Sequence, residues 1–228
     1  MDSTLDLRSR RIQYASRPRH ALASLLTLRD RVYRRDGVTV EKQEETDMRL
    51  KLLSPSEMNA AQKETYDESI AGKRGAPPAP MMAWLNSPEM ARHATRLGEV
   101  LRFDTIFPPK LSEIAILVTA RHWTAHYEWY AHKRLALKGG LDPKIIEDIR
   151  VRRTPTFDDP KARMIYDVAK ALHEGHGLPK ALYDEAIEVL SQRGLVEVIG
   201  LCGYYTMVSM TLNTFEFQLP GGELSELC

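Results

Sequence analysis

LSEIAILVTARHWTAHYEWYAHKRLALK, residues 111–138, is the stretch on which the fold turns. Leu111, Ile114, Ala115, Leu117 and Val118 recur at helical spacing. One helix spanning the whole stretch would be long for a compact domain. Thr124 offers an N-cap, so the sequence predicts two consecutive helices broken near Trp123-Thr124. Gly139-Gly140 ends the second.

Working outward, the same grammar repeats. Ser54-Pro55-Ser56-Glu57 has the form of a helix start, with a Ser cap, Pro at the first helical position and Glu three residues after the cap. That helix is expected to run to about Ala71 and stop at Gly72. Residues 75–80, GAPPAP, read as a loop, and Met81, Met82, Trp84 and Leu85 as an apolar cluster. Ser87-Pro88-Glu89 opens a second helix to about Arg102, with Met90, Leu97, Val100 and Leu101 as its expected core residues. Leu141-Asp142-Pro143 precedes a short helix ending near Arg150. Further helices are expected at 160–174, 179–193 and 195–212, with Gly175, Gly177 and Gly194 as stops. Strand-like alternation is essentially missing, so the expected class is all-α.

Residues 48–228 carry these signals, and residues 1–47 differ. Arginine is dense there (Arg8, Arg10, Arg11, Arg17, Arg19, Arg29, Arg31, Arg34, Arg35), and Glu41, Glu44 and Glu45 follow. Three readings stand for this segment: an arm that wraps a neighbouring subunit, a disordered tail, or an extension upstream of a fold that starts near Met48. Asp2, Asp6, Asp30 and Asp36 argue against an Arg-rich targeting peptide.

Bulk properties narrow the function. Among 228 residues, 43% are hydrophobic and 28% charged, and the net charge is +1. That balance gives no electrostatic reason to expect nucleic acid or an acidic membrane surface as partner. Cys202 and Cys228 make no disulfide framework, and no C-x-x-C is present, so a reducing, cytoplasmic compartment is expected. The longest apolar run, Val198 to Leu212, falls short of the roughly 18 residues a bilayer span needs. It reads as a buried core helix.

Residues 121–132 pack three histidines, a carboxylate and several aromatics together. Glu128 and His132 lie at i and i+4 and share one helix face. A carboxylate beside an imidazole fixes its tautomer and raises its basicity, which prepares a proton-transfer group. The competing reading is an exposed helical pair contributing about 0.2–0.5 kcal/mol. A metal site built from His122, His126 and His132 is a further reading, though the fused H-E-x-x-H pattern is missing. No resident metal or cofactor is expected. Arg121 is the nearest anchor for an anionic small-molecule substrate.

Leu111-Ser112-Glu113-Ile114, then Tyr127-Glu128-Trp129, His132, Ala136 and Gly139-Gly140-Leu141 resemble the signature of the carboxymuconolactone decarboxylase family, which includes the alkylhydroperoxidase D proteins. The resemblance covers roughly Ser54 to Pro220. In the peroxidase branch the site holds a glutamate, a C-x-x-C pair and a histidine. Glu113 and His132 match the first and last, while Ala125 and Glu128 stand where the cysteines would be. The resemblance is therefore to the Cys-less branch, and thiol peroxidase activity is not expected. It implies an alkylhydroperoxidase D-like helical bundle that assembles as a trimer or hexamer. It also implies a cofactor-free lyase acting on a small carboxylated lactone or related acid from aromatic catabolism. His132, Glu128 and Glu113 would be catalytic, with Arg121, Trp123 and Tyr127 binding substrate. A non-catalytic or regulatory oligomer of the same fold is the alternative.

Overall fold

The computed structural model describes residues 48–227, which belong to one compact unit, Glu45–Cys228. The readings made for residues 1–47 lie outside the described residues. Among the described residues eight α-helices follow one another: α1 (Ala60–Ala71), α2 (Ala79–Trp84), α3 (Pro88–Phe103), α4 (Pro109–His122), α5 (His126–Lys138), α6 (Pro143–Arg150), α7 (Pro160–Gly175) and α8 (Lys180–Thr214). A 3-10 turn occupies Pro220–Gly222, and no strand occurs among the described residues.

α4 is the centre. Every residue from Leu111 to Ala120 is buried, and a helix buried all round belongs inside a bundle. It packs against α5, α7 and α8. Its break from α5 falls at the expected place for a different reason. Thr124 takes a left-handed φ of 47° and caps nothing; Ala125 precedes α5 without a side-chain cap. The left-handed residue reverses the chain, so α5 runs back along α4 and brings His132 opposite Glu113.

Other boundaries differ from the sequence reading. Ser54 and Glu57 bond to each other inside a turn, where the Ser54 amide and hydroxyl donate to the Glu57 carboxylate at 2.9 and 2.8 Å. α1 begins later, behind Asn59. Its side chain accepts from Gln62 N at 3.0 Å, and the Gln62 side chain accepts from Asn59 N at 2.9 Å. This reciprocal cap is what the Ser54 motif mimics. The Pro-rich loop ends in α2, because Pro80 falls within a first turn that needs no amide there. The two helices expected at 179–193 and 195–212 form one element bent at Ser191, φ 69°. Gly194 is not the stop. Its amide donates to Ser191 Oγ at 3.3 Å, so Ser191 caps the second half.

α8 is long and apolar enough, by length and composition, to cross a bilayer. Half of its apolar window is buried against other helices, and Val198, Leu201, Tyr205, Val208 and Leu212 all face the core. Trp129, Tyr204 and Tyr205 are buried within the subunit. Exposed apolar side chains lie elsewhere: Leu97, Val100 and Phe103 on α3, and Val196, Ile199 and Met210 on α8.

α3 and α8 approach closely at Gly98. A Cβ built there would stand 2.1 Å from the Tyr204 hydroxyl and 2.5 Å from its ring. Gly98→Ala should therefore cost about 1–3 kcal/mol, the usual range for overpacking a filled core. Chemical denaturation would show it as a lower midpoint at unchanged slope. An unaltered midpoint would mean that Tyr204 moves aside freely.

Candidate active site

His132 stands in the middle of α5, and both of its ring nitrogens face carboxylates. Nδ1 lies 2.6 Å from Glu113 Oε2 on α4, and Nε2 lies 2.8 Å from Glu128 Oε1 one helical turn earlier. All three residues are only 4% exposed. The exposed surface pair, with its fraction of a kcal/mol, is therefore the wrong description. This is a buried line of charge, Glu113–His132–Glu128, joining two helices.

Burial by itself would lower the His132 pKa. The charges of Glu113 and Glu128 and the hydrogen bonds to them oppose that and raise it to about 9. The imidazole is thus an imidazolium at neutral pH, with one N–H directed to each carboxylate. Tyr205 packs edge-on against the His132 ring, with centroids 4.9 Å apart. Burial, then the charges of Glu128 and Glu113, push its pKa well above the usual phenol value. Burial likewise raises Tyr204 to about 12. Both phenols keep their protons and remain hydrogen-bond donors.

A cavity of about 170 Å³ opens over this line. Glu128, His132, Tyr127, Tyr204 and Tyr205 form its floor and walls, with Arg74 and Arg102 among the lining residues. Neither arginine forms an ion pair among the described residues, apart from the fields they exert on the tyrosines. A second cavity, about 280 Å³, lies against Glu113 and shares Arg102 and Leu135 with the first. The line of charge therefore separates two spaces.

The sequence-derived site is assembled in part. Glu113, Glu128 and His132 come together, and Tyr127 lines the same cavity. Arg121 does not: its Nε donates to Arg150 O at 2.6 Å and its Nη1 to Thr124 Oγ1 at 3.1 Å, and it lines a different cleft. Trp123 is tied elsewhere as well, with Nε1 donating to Thr206 Oγ1 at 3.2 Å. The reason is helical phase, since Arg121 and Trp123 precede the left-handed break and point away from the α5 face. The histidine cluster is dispersed too. His122 stacks on His173, His126 bonds Ser225, and among the described residues no group of three or more His, Cys, Asp or Glu is placed to hold a metal ion.

Sequence reasoning missed Arg74 and Arg102. Arg102 sits in the last turn of α3, where a basic residue passes for a partner of the helix dipole. Arg74 lies in a turn between Gly72 and Gly75 and carries no periodic signal.

This order of helices around a central buried α4 is an alkylhydroperoxidase D-like fold. The relation is seen in two solved structures. One is an alkylhydroperoxidase AhpD core, an uncharacterised peroxidase-related protein from Ralstonia eutropha JMP134. It is 14% identical with a TM-score of 0.64, over 78% of this chain and 98% of the other. The second is a protein of unknown function from Agrobacterium tumefaciens, a putative antioxidant defence protein AhpD. It is 16% identical with a TM-score of 0.53, over 60% of this chain and 95% of the other. No protein-family model matches the sequence, and no curated protein matches it either.

A free histidine releases its proton near pH 6.5, whereas folded His132 holds it to about pH 9. Between those values the folded state binds more protons than the unfolded one, so stability falls as pH rises. The stabilisation is complete below pH 6.5 and lost through pH 9. The unfolding free energy should fall by on the order of 3 kcal/mol across that window, at 1.36 kcal/mol per pKa unit. Denaturation at a series of pH values tests this. His132→Gln should flatten the slope, and a flat wild-type profile would mean that the folded imidazole is neutral.

Proposed function

We propose that this chain is a cofactor-free proton-transfer enzyme of the carbon-carbon lyase type, acting on a small carboxylated lactone or related acid. The observation that carries the reading is the imidazolium of His132, held between two carboxylates beneath a cavity that presents Arg74 and Arg102. The two carboxylates and one imidazolium leave a single negative charge. Two guanidiniums outweigh it, so an anionic substrate is attracted rather than repelled. Arg102 and Arg74 take the anchoring role that the sequence reading gave to Arg121.

The chemistry follows from these positions. The substrate carboxylate leaves as carbon dioxide, and the electron pair of the broken bond passes into the conjugated carbonyl as an enolate. A phenol that stays protonated, Tyr204 or Tyr205, donates to the developing oxyanion. Glu128 faces the cavity and accepts the Nε2 proton of His132, then delivers it to carbon. Glu113 holds the opposite side of the ring so that the imidazolium survives burial until that transfer. The proton is replaced from solvent, which closes the cycle.

The two solved neighbours are described in terms of peroxidase and antioxidant defence. A thiol reaction finds little support here. Cys202 is buried in α8, where burial raises its pKa to about 12, and among the described residues no cysteine lines the cavity over His132. The exposed apolar residues of α3 and α8 support self-association, since a monomer gains nothing by leaving such side chains in water.

Screening carboxylated lactones for carbon dioxide release tests the reaction. Glu128→Gln and Arg102→Ala should each depress kcat/KM, the former by about 10²–10⁴-fold as expected for loss of acid-base catalysis. Glu128→Gln combined with His132→Gln should cost little more than the worse single change, because one broken member disables the unit. Hydroperoxide turnover that vanishes in Cys202→Ala, or full activity in a folded Glu128→Gln variant, would overturn the reading. Sedimentation at micromolar concentration should give a mass above the 26.0 kDa monomer, and Val196→Glu with Ile199→Glu should lower it.

A further inference from the structure

The cleft that holds Arg121 lies apart from the His132 cavity and has chemistry of its own. It measures about 110 Å³ and opens between α4, the end of α6 and α7. Val118, Ile149 and Tyr166 form an apolar floor, and all three are buried. Arg121, Arg152 and Lys170 stand around it, with Glu174 the one carboxylate among the lining residues. Arg121 is engaged with Arg150 O and Thr124 and contributes field rather than reach. Lys170 forms no hydrogen bond or ion pair among the described residues. Arg152 donates only to Arg121 O, at 3.3 Å, and likewise has no carboxylate partner among them.

The backbone at Arg152 is a second, independent observation. α6 closes with Arg152 N–H donating to Ile149 O at 3.0 Å and Arg153 N–H to Asp148 O at 2.7 Å. This is the Schellman pattern, and it puts Arg152 at φ 59°, the position that glycine normally takes. An arginine held there carries a cost of roughly 1 kcal/mol that glycine would not, and such strain marks positions where the side chain has a use.

We infer that this cleft binds a small organic carboxylate, with its oxyanion on Arg152 and Lys170 and its apolar body on Val118, Ile149 and Tyr166. Two stacked imidazoles, His122 and His173, 4.7 Å apart, form the adjoining wall. His173 Nε2 is 2.8 Å from Thr119 Oγ1, whose hydroxyl already donates to Ala115 O, so His173 donates through Nε2. The groups facing the pair are Arg121 on α4, Arg152 after α6, and Tyr166, Lys170, Glu174 and His176 on or after α7. Burial, then the charge of Arg152, lowers the His122 pKa against the pull of Glu174. Burial, then His122, lowers His173 to about 4. The cleft thus favours the neutral form of both rings. A bound anion offsets part of the positive field of Arg121, Arg152 and Lys170, so ligand and proton each favour the other's binding.

The test is calorimetric titration of the full chain with sodium benzoate and, separately, sodium sulfate at about pH 5.5 and 7.5. Benzoate should bind, and bind about fivefold or more tightly at the lower pH, the low end of ordinary coupling between sites. Lys170→Ala and Arg152→Gly should each weaken it by roughly tenfold or more, the contribution of one charge-assisted hydrogen bond. Arg152→Gly should melt no lower than the parent, because glycine suits φ 59°. Arg102→Ala, in the other cavity, should leave this binding unchanged, so failure here and failure of the proposed reaction are separable. Loss of benzoate binding in Arg102→Ala alone would assign the ligand to the His132 cavity and overturn the inference. Sulfate binding with benzoate inert, or no binding of either, would also overturn it.

Discussion

An imidazolium between two carboxylates is the interaction on which the remainder of the structure depends. Three ionisable groups removed from water carry a desolvation penalty of several kcal/mol each, and only close mutual contact offsets it. That requirement fixes the register of α5 on α4: a slip of one residue along either helix would part His132 from Glu113 and strand a buried charge. Tyr205 packs edge-on against the ring and Tyr204 fills the gap left by Gly98, which closes those sides of the line. The left-handed turn at Thr124 and the burial of α4 on all sides both serve this one alignment.

The same line sets the electrical character of the cavity. A site with two glutamates would ordinarily repel an acid. Here the imidazolium cancels one of those charges, and Arg74 and Arg102 arrive from the turn after α1 and from the end of α3 to reverse the sign. No residue of the line is a thiol, and the cysteine of α8 is held as a protonated, buried hydrophobe. The fold is thus shared with proteins described as peroxidase-related, while the polar groups lining the His132 cavity in this chain are carboxylate, imidazolium, phenol and guanidinium.

Much of this was legible in the sequence, and unevenly so. The apolar period of residues 111–118 and the spacing of Glu128 and His132 encode local facts, and the helices they indicate are present. Glu113 was reached through a resemblance, since nineteen residues separate it from His132 and no period links them. Burial of the pair was misjudged because i,i+4 spacing says which face two residues share but not what covers that face. Arg121 was misplaced for a related reason: proximity in sequence carries no information across a left-handed residue. Ser54 misled because a cap-like bond can close within a turn, leaving the helix to start at Asn59. Arg74 and Arg102 depend on how α1, α3 and α5 come together, which only tertiary structure defines.

The first helix adds a further property. α1 buries only Thr65 and Ser69, whose hydroxyls lack partners among the described residues, and Tyr66 is its main apolar contact with the core. It is otherwise clasped to α3 by Arg92, which pairs with Glu64 and Glu68. Ion pairs of this kind are screened by salt far more than apolar contacts are, and a segment with so little buried apolar surface opens well before the bundle does. Arg74 follows directly on that helix. One of the two guanidiniums lining the His132 cavity therefore follows an element whose hold on the bundle is largely ionic, so salt weakens the anchorage of that charge as well as screening its field.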